Sequence, residues 1–147
     1  MIAFDTNVLV YASDRQAGPR HRAAQQIVAR AIGSDAAVTD QSLVEFLNAT
    51  TRKATLSLAD AAAAVRGYLM HFALLLPSSS IIDDTMALLA SHRLSVWDAR
   101  MLALCDAHGC THLFSEDIQD GARYGGVAVI NPFAPNNRKL LAQLLLP

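Results

Sequence analysis

Asp5 follows the apolar triplet Ile2-Ala-Phe4, and the pair Glu116-Asp117 comes two and three residues after Phe114, so these acids stand just beyond short β-type runs. Two further acids fall early in segments of helical period: Glu45 within Asp40–Arg52, and Asp98 three residues after Ser95. Ligands of open parallel sheets bind outside the carboxyl ends of the strands, which is where such acids would meet. At an effective dielectric of ~20, two carboxylates ~4 Å apart repel by ~4 kcal/mol. Converging acids therefore take up protons or hold a divalent cation. No cluster of lysines or arginines flanks them, and oxygen ligands without thiolate or imidazole favour Mg²⁺ or Mn²⁺ over zinc.

Each acid also has a local reading. Asp5 suits the N-cap of a helix starting at Thr6. Glu45 shares a polar stripe with Gln41, Asn48 and Arg52, although Leu43, Val44, Phe46 and Leu47 flank it. Asp98 occupies the capping-box position relative to Ser95. Asp117 suits a loop before the Asp120-Gly121 turn. Singly, none of these signals is specific; jointly they point to a metal.

The elements that must position these acids follow from apolar periodicity. Short apolar runs predict strands at Ile2–Phe4, Ala36–Thr39, Ala73–Leu76, His112–Phe114 and Val127–Ile130. Between them, helical patterns cover Arg20–Ile32, stopped by Gly33, then Asp40–Arg52, Leu58–His71, Ile82–Arg93 and Val96–Ala107. Leu140–Leu146 reads as a short helix or as a tail that needs a partner. Strands separated by helices cannot pair as hairpins. The expected fold is α/β, a mostly parallel central sheet of about five strands with helices on both faces, in one domain over residues 1–147.

Composition supports this reading. The chain is 52% apolar and 17% charged, with a net charge of −1, which excludes a disordered chain, a coiled coil and a histone-like basic protein. Any nucleic-acid contact must then rest on a local patch. Two cysteines, Cys105 and Cys110, are too few for a disulfide framework and suit a reduced, cytoplasmic chain. The start Met1-Ile-Ala-Phe-Asp5 lacks the basic region of a signal peptide, and no apolar run is long enough to span a membrane.

Four stretches carry a resemblance: Asp5-Thr-Asn-Val-Leu-Val-Tyr-Ala12, Gln41-Ser-Leu-Val-Glu-Phe46, Ser95-Val-Trp-Asp-Ala99, and Leu113-Phe-Ser-Glu-Asp-Ile-Gln-Asp-Gly121 continuing to Ile130-Asn-Pro-Phe133. In this order, the set resembles the PIN-domain ribonucleases, and within them the VapC-type toxins of bacterial toxin–antitoxin pairs. The resemblance implies a three-layer αβα fold. It places the family's acidic quartet, with catalytic and metal-binding roles, on Asp5, Glu45, Asp98 and Asp117. Thr6, Asn7 and Ser115 match the supporting polar residues. Arg100 departs from the apolar residue usual at its position.

The resemblance implies hydrolysis of RNA phosphodiester bonds by water activated by one or two Mg²⁺ or Mn²⁺ ions, leaving a 5′-phosphate and a 3′-hydroxyl. It also implies a cognate antitoxin and a homodimer. Arg15, Arg20 and Arg22 after the first motif, and Arg52-Lys53 at the end of a helix, are candidate phosphate contacts. The main alternative is a catalytically silent PIN-like module that holds RNA or protein. A phosphatase with Asp5 as nucleophile would need a second Asp two residues on, where the chain has Asn7. A zinc site at Cys105, His108, Cys110 and His112 lacks a usual ligand spacing. A histidine-pair ribonuclease would leave the acids unexplained.

Overall fold

A computed structural model describes residues 1–145. The strands are β1 (Ile2–Phe4), β2 (Ala36–Thr39), β3 (Ala73–Leu75), β4 (His112–Phe114), β5 (Arg123–Tyr124) and β6 (Val127–Ile130). The helices are α1 (Thr6–Ser13), α2 (Pro19–Ala31), α3 (Asp40–Arg52), α4 (Leu58–His71), α5 (Ile81–Ser91), α6 (Val96–Ala107) and α7 (Arg138–Leu144). The strands form one mixed sheet of order β3-β2-β1-β4-β6-β5, parallel except where β5 runs antiparallel to β6. The fold is α/β, as the alternation of strand and helix patterns predicts.

The sheet separates two hydrophobic layers because each strand alternates. Ile2, Phe4, Ala36, Val38, Phe114 and Ile130 pack with α1 to α4 and α7. Ala3, Ala37, Leu75, Leu113, Val127 and Val129 face the other way, onto α5 and α6. Strands buried on both faces read as unbroken apolar runs, which is why these segments show no polar alternation. Phe4 lies at the centre of the first layer, edge-to-face with Phe72 at 5.4 Å and Phe114 at 5.9 Å.

Two expectations need correction. The sheet has six strands where about five are expected, because Arg123–Tyr124 folds back on Val127 through Gly125-Gly126. Gly125 has φ 57°, and a Cβ there would come within 2.7 Å of the Asp106 carboxylate, so the turn requires glycine. The helix for which Asp5 suits the N-cap does begin at Thr6, directly after β1. Finally, the C-terminal helix starts two residues earlier than expected, at Arg138, and Leu141 buries against the first layer. The expected end of that segment, Leu146, lies outside the described residues.

β1 has β2 on one side and β4 on the other, so successive connections leave it in opposite directions. That is a topological switch point, and the crevice outside its carboxyl end is the natural place for a ligand. Thr39 ends β2 and caps α3 through a reciprocal box with Ser42, which launches α3 from the same edge.

Candidate active site

A cleft of about 930 Å³ opens at this edge. Asp5, Glu45, Asp98 and Asp117 all line it, together with Thr6, Asn7, Gln41, Trp97 and Arg100. Asp5 directly follows β1, and its backbone N–H extends the ladder to Phe114 at 3.0 Å. Asp117 sits beyond the neighbouring β4, Glu45 on the second turn of α3, and Asp98 in the first turn of α6.

Short polar side chains tie three of the acids together. The Thr6 N–H donates to Asp5 Oδ1 at 2.6 Å, and the Ser115 hydroxyl donates to Asp5 Oδ2. Asn7 Nδ2 bridges Asp5 and Asp117, donating to one oxygen of each at 3.4 and 3.0 Å. The Thr6 hydroxyl donates to Glu45 Oε2 at 3.0 Å, and Gln41 Nε2 donates to Glu45 Oε1 at 2.8 Å. Asp98 stands apart, the only hydrogen-bond partner of its carboxylate among the described residues being the Ser95 hydroxyl at 2.7 Å.

The local readings of these acids coexist with a shared cleft. Asp5 is an N-cap and Asp98 does close on Ser95. Glu45 is half-buried and fully engaged rather than part of a solvated stripe. Asp117 bonds to Asn7 instead of belonging to the following turn, where Asp120 accepts from the Asn131 N–H at 2.7 Å.

Asp5 is the electrostatic centre. Only 6% of it is exposed. Burial pushes its carboxyl up from 3.8 to about 6, and the charges of Asp117 and Asp98 push the same way; the Ser115 and Thr6 hydrogen bonds oppose them. Burial thus outweighs two good donors, and a cation in the cleft would relieve the deficit.

The donor set fits a hard cation. All four acids offer oxygen, and Asn7 Oδ1 is a buried oxygen of the same cleft with no hydrogen-bond partner among the described residues. Among those residues, no three of Asp, Glu, His or Cys close into a ready-made chelate. Mg²⁺ keeps several of its waters and is held directly by only one or two carboxylates, so donors spread round a cleft suit it better than they would suit zinc.

The candidate phosphate contacts divide. Lys53 lines the cleft; Arg15, Arg22 and Arg52 are exposed and stand outside its lining. Arg20 Nε pairs with Glu116 at 3.0 Å, its guanidinium 5.7 Å from the Tyr11 ring centre. Tyr11 also donates to Glu116, which drives the phenol up to about 12, and burial adds to that shift. Glu116 is thereby occupied outside the linked acids.

Several lining residues have no role predicted from sequence, among them Asp40, Gln41, Trp97 and Arg100. In the sequence Gln41 and Trp97 are members of the resembling stretches without a role of their own, and Arg100 is a departure from the usual residue. The spacing Gln41–Glu45 was a usable signal, since residues four apart share a helix face.

The sequence profile described as "PIN domain" matches residues 2–123. Among solved structures, the VapC20 sarcin–ricin-loop-cleaving toxin of Mycobacterium tuberculosis superposes with TM-score 0.64 at 16% identity, covering 78% of this chain and 88% of that one. A toxin–antitoxin complex from Klebsiella pneumoniae gives TM-score 0.65 at 24% identity, with 90% and 98% covered. FitAcB from Neisseria gonorrhoeae gives 0.55 at 14%, with 90% and 99% covered. A comparison with curated protein sequences finds no match. With the profile spanning most of its length, the chain belongs to the PIN domain family.

Proposed function

We propose that this protein is a Mg²⁺- or Mn²⁺-dependent endoribonuclease and the toxin of a toxin–antitoxin pair. The observation that carries the reading is the single cleft lined by Asp5, Glu45, Asp98 and Asp117 at the switch point of a PIN-family sheet. A silent binding module would have no use for a buried carboxyl held against its own ionisation.

In this reading Asp5 and Asp98 make the main contacts to the cation, with Glu45 and Asp117 as direct or water-mediated ligands. When bound, the ion supplies charge relief on the phosphoryl oxygens and acidifies water. The chain's own side chains do the positioning. Thr6 and Gln41 fix both oxygens of Glu45, Asn7 couples Asp5 to Asp117, and Ser115 holds Asp5 from beneath. One of the four carboxylates accepts the proton that the attacking water releases.

Two of the structural neighbours are described as a sarcin–ricin-loop-cleaving toxin and a toxin–antitoxin complex. Structured RNA with exposed single-stranded loops is therefore the substrate class to test. A cognate antitoxin and a homodimer belong to the same proposal. The test is incubation with a panel of structured RNAs and Mn²⁺. Defined fragments that vanish with chelator support the reading, whereas RNA that binds and stays intact favours the silent module.

Of the candidate phosphate contacts, Lys53 is the one that lines the cleft, which supports a role for it in RNA binding. Lys53→Glu is expected to weaken RNA binding and to lower the slope of log affinity against log salt by about one. Arg22→Glu is expected to leave the slope unchanged. Filter binding between low and moderate salt measures both.

A further inference from the structure

Glu45 and Asp98 reach the cleft from different helices, α3 and α6. These two are not a closely packed pair: α3 packs on α1 and α4, and α6 on α5. Something must set their spacing.

Arg100 and Gln41 connect them. Arg100, on α6, forms a forked ion pair with Asp40 at the start of α3, Nη2 to Oδ2 at 2.9 Å and Nη1 to Oδ1 at 3.4 Å. Its Nη1 also donates to Gln41 Oε1 at 2.9 Å. Gln41 Nε2 then donates both to Glu45 Oε1 at 2.8 Å and to the Trp97 carbonyl at 3.1 Å. That carbonyl belongs to the residue just before Asp98.

The guanidinium decides which way the Gln41 amide faces. Turned over, the amide would set its oxygen against the Glu45 carboxylate and the Trp97 carbonyl, and its NH₂ against Arg100. All three contacts would repel. As it stands, all three are satisfied, in a side chain only 6% exposed. Asp40 balances the charge of Arg100, so the arginine does not discharge the acids of the cleft. Its contribution is geometric.

We propose that Arg100 and Gln41 form a clamp between α3 and α6 that presents Glu45 and Asp98 at one spacing to a divalent cation. The proposal rests on the metal-site reading above and adds positioning residues to it. A lysine at position 100 keeps the charge but cannot reach two oxygens of Asp40 and the Gln41 amide at once.

The test is the dissociation constant for Mn²⁺ alone, measured by electron paramagnetic resonance on RNA-free protein. Wild type is compared with Arg100→Ala, Arg100→Lys, Gln41→Leu and the double variant Arg100→Ala/Gln41→Leu, well below every melting temperature. Removing an orienting partner of a metal ligand is expected to weaken binding about tenfold or more. Arg100→Ala and Gln41→Leu should each show this loss, the double variant little more than either, and Arg100→Lys only a partial recovery. Variants that melt earlier yet bind Mn²⁺ within twofold of wild type would overturn the clamp while leaving the metal site standing. Should wild type itself take up no Mn²⁺, the metal site fails and the clamp with it. If Arg100→Ala does not fold, Gln41→Leu alone decides by the same criterion.

Discussion

Asp5→Asn is expected to abolish RNA cleavage and, at the same time, to stabilise the cation-free protein at neutral pH. The carboxyl stands near 6 in the folded chain against 3.8 as its ordinary value, with burial the main cause. A folded carboxyl that holds its proton more tightly than the unfolded one favours folding most below pH 3.8. That advantage declines as pH rises and is gone above about 6, where ionisation of Asp5 is costing the fold. A shift of this size corresponds to roughly 3 kcal/mol. Asparagine carries no charge but must turn an NH₂ toward one of the donors Thr6, Asn7 or Ser115, which returns about 1 kcal/mol. The net gain at pH 7.5 is therefore about 1–2 kcal/mol, vanishing at pH 4. Cleavage should fall by more than about a hundredfold, as for loss of a group aimed at the reacting centre. Urea melts at the two pH values, run with chelator, check the first part; single-turnover cleavage checks the second. A variant less stable than wild type at pH 7.5 contradicts the burial account, and retained cleavage removes Asp5 from the mechanism.

The largest effect on stability alone belongs to the residue before it. Phe4 is fully buried between Phe72 and Phe114 and anchors the layer beneath β1. Phe4→Ala leaves a cavity and forfeits two edge-to-face contacts, at a cost of about 3–5 kcal/mol. For a chain of this size that lowers the melting temperature by roughly 10–15 °C. Well below its own melt, the variant should bind Mn²⁺ within a few-fold of wild type, because the Asp5 carboxylate is held by Thr6, Asn7 and Ser115 rather than by the ring. Thermal melts and Mn²⁺ titration together test this. The pair of variants separates the two sides of β1's end: one residue costs stability and, in the proposed function, serves the chemistry, and its neighbour supplies the stability.

That contrast also explains what could be read from the chain alone. β1, β2, β4 and β6 are legible because each is a short apolar run between turn or cap residues, as with Gly33 before β2 and Ser115 after β4. Helix α6 is legible from Ser95 and Asp98, whose mutual capping needs no tertiary information. β5 was missed although Gly125-Gly126 is a hairpin signal; two residues are too few to show a period, and their pairing depends on Val127 being already in the sheet. Asp5, Glu45, Asp98 and Asp117 could be located as chain positions beyond strands or at helix starts. Their relative weights could not. Which acid is buried depends on what covers it: Asp5 caps α1 directly after β1 and accepts from the buried Ser115, whereas Asp117 stands on an exposed loop. The Arg100 network was illegible for a simpler reason: Asp40 and Gln41 lie some sixty residues away in sequence, and no local pattern links them.

The most direct test of the central claim is crystallographic. Crystals soaked in Mn²⁺ and measured at an energy where manganese scatters anomalously should show a peak in the cleft, within coordination reach of Asp5 and Asp98, that disappears in Asp5→Asn. Carboxylates that stay apart around a cleft without any such peak, in crystals whose cleft is open to solvent, would contradict it.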